Sequence, residues 1–340
     1  MKTVLLIATT ATLVILAGCK GAVKQEEPLP VKKELLKKGK EVLTVDFQEG
    51  QSLRYRFVCS RDIELDWDPT RKRGKPNEQV IDKSSESLEM VVAYTPTKVD
   101  PFGLTTINAT CESVKVKRSK GRSGRDTSKD AVENFAGKTF TLTVNPSGKI
   151  EDYSQLDELI REIGETAFRP TSRMGRIKEP DMIGDFIATQ WFLWDSVSSI
   201  EKPIEGISVG QSWGSKLSVP TPMVMRKARD VSYSLEEIRQ SEEGRLAVIR
   251  SCYTLADSVP SGWPVPYTGR FNMSGPFGFF RGYEVLELKG NGEELFNIDS
   301  GRIEKYKQQY RMRLEAALPA PLGPKPLITI NQNLAMQLLK

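Results

Sequence analysis

In the stretch EVLTVDFQEGQSLRYRFVCSRDIELDWD, Leu53, Tyr55, Phe57 and Cys59 alternate with Arg54, Arg56 and Val58. A period of two is the signature of an extended chain, because side chains along a strand point to opposite faces in turn. The pattern recurs. Leu88, Met90, Val92 and Tyr94 share one face, as do Thr105, Ile107, Ala109 and Cys111, and then Phe140, Leu142 and Val144. Glu49-Gly50 and Asn145-Pro146-Ser147-Gly148 supply turn residues between runs. The text predicts a mainly β fold of antiparallel strands. Strand-like text resumes after residue 205 with GISVGQSWGSKLSV, DVSYSLEEI, GRLAVIRSCYTLA, GYEVLELKGNGEELFNI and GRIEKYKQQYRMRLEAAL, and a last apolar segment, PLITINQNLAMQLL, closes the chain.

Between these two regions the period changes. Leu156, Leu159, Ile160, Ile163 and Ala167 fall at helical spacing, with Ser154 and Asp157 placed as a capping box. A second helix is expected from Asp181 to about residue 199, apolar over much of its circumference through Met182, Ile183, Phe186, Ile187, Trp191, Phe192 and Trp194.

The two strand regions share words in one order. Gly50-Gln51-Ser52 recurs as Gly210-Gln211-Ser212, and Ala93-Tyr94 has a counterpart in Ser232-Tyr233. Ile107 precedes Cys111 as Val248 precedes Cys252. SGKIEDY at 147–153 reappears as SGRIEKY at 300–306. Shared order with drifting offsets is what strands joined by unequal loops would leave after a duplication. The expected architecture is a duplicated antiparallel β-meander, forming curved sheets or a half-barrel, with two inserted helices. The boundaries are 1–18 for a signal peptide, 19–43 for a tether, 44–153 for the first β unit, 154–200 for the helical insert and 201–340 for the second β unit. The alternative is that β proteins reuse glycine turns and alternating strands without any common origin.

Met1-Lys2 opens the chain with positive charge, and Val4–Leu16 is an apolar run too short to span a bilayer as a helix. It ends in Leu16-Ala17-Gly18-Cys19. This resembles the bacterial lipoprotein signal, in which cleavage precedes the Cys and its thiol carries a diacylglycerol. The resemblance implies lipidation of Cys19 and palmitate-type acyl chains that hold the protein on a membrane. Lys20 in place of Asp favours the outer over the inner membrane under that reading. The charged, Pro-containing stretch from Lys20 to Lys40 has the composition of a stalk. With GQSLRYRF, SGKI and SVGQSW, the chain is similar to a family of uncharacterised bacterial envelope lipoproteins that carry a domain of unknown function. That family has no established catalytic residues to transfer.

The net charge is +5, of which Lys2 contributes one, too small a surplus to argue for nucleic acid. There is no histidine, so His-based catalysis, His metal sites and imidazole switches are excluded. Cys59 and Cys111 invite a disulfide, but in a simple meander a strand lies between theirs. Two strand spacings come to about 9.6 Å, beyond the roughly 7 Å that a bridge tolerates. The expectation is that Cys59, Cys111 and Cys252 are three buried thiols acting as small apolar residues.

Four constellations could carry function. Asp62, Glu64, Asp66 and Asp68 share one strand face, which reads as a solvated acidic face or as part of a calcium site. Since alternate side chains lie about 6.6 Å apart, one strand cannot close the ion's shell, and no metal site or cofactor is expected. Arg71 and Arg73 join Lys117, Arg118, Lys120 and Arg122 in a basic patch suited to phosphate headgroups or acidic envelope polymers, or simply solvated. The segment 258–281 holds Trp263, Tyr267, Phe271, Phe277, Phe279 and Phe280 among Gly and Pro. These aromatics either cap a core or contact an apolar ligand or a membrane. No catalytic residue stands out. The sequence thus favours a membrane-anchored, non-enzymatic envelope lipoprotein that binds an apolar ligand or a protein partner. A His-free hydrolase on a cell-wall or glycan substrate and a purely structural lipoprotein are the alternatives.

Overall fold

The alternation is realised as strands running antiparallel in one sheet. In a computed structural model the described residues are 39–70, 81–118, 131–145, 150–152, 154–156, 158–159, 162, 206–218, 228–258, 282–317 and 325–340. The strands are β1 (Leu53–Asp66), β2 (Ile81–Val99), β3 (Thr105–Arg118), β4 (Thr139–Val144), β5 (Ile150–Asp152), β6 (Ser212–Ser218), β7 (Ala228–Ser241), β8 (Gly244–Leu255), β9 (Gly282–Asn297), β10 (Arg302–Ala317) and β11 (Leu327–Leu339). They form an 11-stranded sheet in the order β5-β4-β3-β2-β1-β11-β10-β9-β8-β7-β6. The sheet is open, and its edges are the short strands β5 and β6, which limits the unpaired backbone on offer to another chain.

This order contains two consecutive meanders, β1–β5 and β6–β10, joined through β11. Their pairing registers coincide. Leu53 faces Tyr94 as Trp213 faces Tyr233. Tyr94 faces Ala109 as Tyr233 faces Ser251. Val144 faces Ile150 as Phe296 faces Ile303. The turns before the first strands match as well. The Gly50 amide donates to the Pro96 carbonyl at 2.8 Å and the Gly210 amide to the Leu235 carbonyl at 2.7 Å. Both acceptors lie two residues beyond the paired tyrosine. The cysteine match does not survive. Cys111 faces Val92, and the residue at its place in the second meander is Tyr253, which faces Val231. Cys252 is one residue out of phase and therefore points to the other face of the sheet, where it is exposed.

The last apolar segment proves to be the central strand. β11 pairs with β1 from Arg54↔Leu339 to Asp66↔Leu327 and with β10 from Lys305↔Gln337 to Glu315↔Leu327. It thereby turns two meanders into one sheet.

One face is buried. Tyr55, Phe57 and Cys59, then Leu88, Met90, Val92 and Tyr94, then Ile107, Ala109 and Cys111, and Phe140, Leu142 and Val144 lie in the core, as their alternation predicts. Full burial of each large apolar side chain is worth about 1.5–3 kcal/mol. Strand β2 separates Cys59 on β1 from Cys111 on β3, and both are buried and outside any disulfide. Cys252 departs from the expectation of three buried thiols.

Of the first expected helix, residues 154–156, 158–159 and 162 are described and helical, with Leu156 and Leu159 in the core. Its start is met by Asp152, whose Oδ1 accepts the Ser154 amide at 2.9 Å. Gln155 fixes it beside β4, its Oε1 accepting the Thr141 amide at 2.9 Å. Asp157 and the second expected helix lie outside the described residues, as do the signal peptide and Cys19.

Candidate functional site: a polar relay in an apolar sheet face

The buried face is not uniformly apolar. Near its centre, inward positions of β1, β11, β10, β8 and β7 carry Arg61, Gln332, Gln308, Tyr310, Tyr306, Ser251, Tyr253 and Arg229, all buried, with Glu294 of β9 among them. Register explains their meeting. Arg61 faces Gln332, Gln332 faces Tyr310, and Tyr310 faces Gly290, which in turn faces Tyr253. One step along, Gln308 faces Gly292, which faces Ser251.

A hydrogen-bonded chain crosses these strands. The Tyr306 hydroxyl donates to Gln308 Oε1 at 2.6 Å. With that proton committed, the Tyr253 hydroxyl donates to Tyr306, 3.0 Å away, and Ser251 Oγ donates to Tyr253 at 2.6 Å. Gly292 makes this passage possible. A Cβ there would lie 2.6 Å from both the Ser251 Oγ and the Tyr253 hydroxyl. At Gly290 it would lie 2.4 Å from the Gln309 carbonyl oxygen and 2.5 Å from Tyr310 Cβ. The two glycines keep β9 bare where the tyrosines of its neighbours need room.

Burial sets the electrostatics. It pushes the Tyr306 phenol well above its ordinary range, with Tyr253 and Tyr55 also raised, because desolvation penalises the phenolate. The hydroxyls therefore act as neutral donors and acceptors, not as bases. The Arg229 guanidinium carbon sits 4.8 Å from the centre of the Tyr253 ring, a cation–π contact. The Arg61 guanidinium pairs with Glu86 at 2.5 Å. At the end of the chain, Gln308 Nε2 has no hydrogen-bond partner among the described residues, and neither has Gln332 Oε1. An amide donor and an amide acceptor thus lie side by side with other buried polar groups in a face that is apolar around this cluster, an arrangement that suits a small polar group attached to an apolar body.

Among the residues singled out from sequence, Asp62, Glu64 and Asp66 lie opposite the buried Ile63 and Leu65. Glu64 pairs with Lys83 at 2.8 Å. Asp66 Oδ1 accepts the Asp68 amide. Among the described residues no group of three potential ligands converges on a metal site. Lys117 is exposed near the end of β3, and Arg118 ends that strand, facing Glu86. Arg71, Arg73, Lys120 and Arg122 lie outside the described residues, as do Trp263, Tyr267, Phe271, Phe277, Phe279 and Phe280. The strands leading into these segments end together. β1, β3, β8 and β10 run the same way, so their last residues, Asp66, Arg118, Leu255 and Ala317, lie at one end of the sheet. The opposite end has hairpin connections of five residues or fewer.

The relay itself was missed from sequence. Its signal was Gln308, a polar residue in the inward phase of Tyr306, Tyr310, Met312 and Leu314. A register shift between Ile303 and Lys305 hides the phase at the start of that strand.

No protein-family model matches the chain, and no curated protein does. Among solved structures it is similar to lipovitellin, in a structure concerned with lipid–protein interactions, at 9% identity and a TM-score of 0.42, over 87% of this chain and 26% of that one. This chain therefore spans about a quarter of that chain's length.

Proposed function

We propose that the protein is an envelope lipoprotein, anchored through acyl chains on Cys19, whose folded part binds an apolar ligand bearing a small polar group. The observation that carries the binding reading is the relay from Ser251 to Gln308, ending in unfilled amide groups inside an apolar face. Burying polar atoms without partners costs about 1–3 kcal/mol each, a cost that a ligand carbonyl or hydroxyl would remove. Strands β1, β3 and β8, which precede the basic stretches around Arg71 and Lys120 and the aromatic stretch 258–281 in the sequence, end on one side of the sheet, which fits an end facing a lipid surface. In this reading the basic side chains meet phosphate headgroups and the aromatics supply apolar contact. Localisation to the outer membrane rests on Lys20 alone.

Binding is tested with the Cys19→Ser protein and a fluorescent fatty acyl probe. Saturable binding that weakens at least tenfold in Gln308→Leu supports the reading, and no binding to acyl probes removes it. The anchor is tested separately by mass spectrometry of the mature protein: a diacylglyceryl mass on Cys19 is expected, and an intact Met1 or an unmodified Cys19 overturns it.

A further inference from the structure

The exposed face of the same sheet carries a groove unrelated to the relay. It runs across β8, β9, β10, β11 and β1, in two adjoining parts of about 690 and 420 Å³ that share Asn291, Gln309 and Asn333. Its floor is a single register row. Cys252 faces Asn291, Asn291 faces Gln309, Gln309 faces Asn333, and Asn333 faces Ser60. At the strand spacing this row is about 19 Å long. The three amides stand side by side on the central strands, with Gln309 Nε2 donating to Asn291 Oδ1 at 3.1 Å. Each retains further donors and acceptors on a solvent-facing surface.

Cations flank the row on both sides. Arg250 and Lys307 lie two residues to one side, each facing Glu293 between them, and Lys289 and Arg311 two residues to the other. Lys289 is paired with Glu287 at 2.7 Å. Arg250, Lys307 and Arg311 make no ion pair among the described residues. Glu293 is the acidic residue in the lining. Val58 and Ala335 are half-buried in the lining, and among the described residues no aromatic side chain is exposed there, since Tyr310 belongs to the buried face. Single-stranded nucleic acid would want stacking platforms, and a protein partner would want aromatic or aliphatic anchors. A hydroxyl-rich chain bearing acid groups wants what is present: a row of neutral amides with cations on its margins.

We propose that this groove binds an acidic polysaccharide laid across the strands, its hydroxyls on Asn291, Gln309 and Asn333 and its acid groups on Arg250, Lys307 and Arg311. The groove and the relay occupy opposite faces, so this site stands whether or not the apolar ligand does.

The test uses the full chain with Cys19→Ser and three probes: polygalacturonate, neutral dextran and polyglutamate. Titration calorimetry is expected to show binding to polygalacturonate that falls at least tenfold in Lys307→Gln/Arg311→Gln and at least fivefold in Gln309→Ala/Asn333→Ala. The exposed Cys252 gives a second readout, because occupancy of the groove should slow its alkylation. Polyglutamate binding as tight as polygalacturonate would reduce the groove to charge attraction and overturn the proposal. So would indifference to the amide substitutions, equal binding of dextran, or binding that leaves Cys252 alkylation unchanged. All four substituted residues lie on the exposed face, and unchanged thermal unfolding would confirm that the variants remain folded.

Discussion

The amide of Asp46 donates to the carbonyl of Gly301 at 2.9 Å, fastening the segment before β1 onto the hairpin between β9 and β10. Gly301 has φ +61°, and a Cβ there would lie 2.6 Å from Asp46 Cβ and 2.7 Å from the Asp46 nitrogen. The glycine of SGRIEKY is thus required twice, for its backbone conformation and for the approach of another backbone.

Gly301→Ala should therefore destabilise more than Gly50→Ala. Gly50 has a similar conformation, φ +77°, but among the described residues a Cβ there would meet nothing within 4 Å. Strain alone predicts a loss of about 1 kcal/mol at Gly50, and strain plus backbone displacement about 3 kcal/mol at Gly301. Urea unfolding measures both. Equal losses would mean that the Asp46 contact yields without cost.

Tyr306→Phe removes the middle of the relay. It leaves the Tyr253 hydroxyl without its acceptor and Gln308 Oε1 without its donor, at a cost of about 1–3 kcal/mol. Gln308→Leu takes away the relay's end together with an amide group already lacking a partner, and should cost less than Tyr306→Phe. Denaturant midpoints of the two variants give the comparison.

Glu86→Gln leaves the Arg61 guanidinium, 1% exposed, without its carboxylate at 2.5 Å. Losing one partner of a buried pair costs about 3–5 kcal/mol, whereas Arg61→Met with Glu86→Gln removes both charges and should recover part of that loss. A double-mutant cycle by thermal unfolding reads the coupling.

Stability should decline at alkaline pH. Burial pushes the Cys111 thiol up to about 12 from an ordinary value near 9.0 and raises Tyr55, Tyr253 and Tyr306 as well. Above their ordinary values the unfolded chain releases protons that the folded chain keeps, so the folded state loses ground as pH rises. The thiol's share is fully present below pH 9 and is lost between about pH 9 and 12, at on the order of 1 kcal/mol per pH unit. Denaturant midpoints at pH 8 to 11 test this. In the native protein at pH 8, thiol reagents should modify Cys252 quickly, while Cys59 and Cys111 react only on unfolding.

Much of the fold was legible in the chain because a strand's two faces are a local property. Tyr55, Phe57, Met90, Val92, Ile107 and Leu142 reached the core by simple alternation. The repeated turns were legible for the same reason: Gly50 and Gly210 hold matching backbone conformations and donate to matching acceptors. The cysteines misled because similarity of words ignores phase. The register places Tyr253, not Cys252, at the position of Cys111. The sites were less legible still. Gln308, Tyr253 and Ser251 read singly as ordinary strand residues, and Asn291, Gln309 and Asn333 as solvated ones.

What the sequence by itself determined is which residues face inward and where the chain turns, since period and turn chemistry act over a few residues. What only the tertiary structure decided is which strands are neighbours. The final segment enters between β1 and β10, and pairing with strands far apart in sequence brings Gln332 to Arg61 and Tyr310, and Asn333 to Ser60 and Gln309. Both the relay and the groove are rows across the sheet. A row is set by register between distant strands, and it exists only once the non-local hydrogen bonds of the whole sheet have formed.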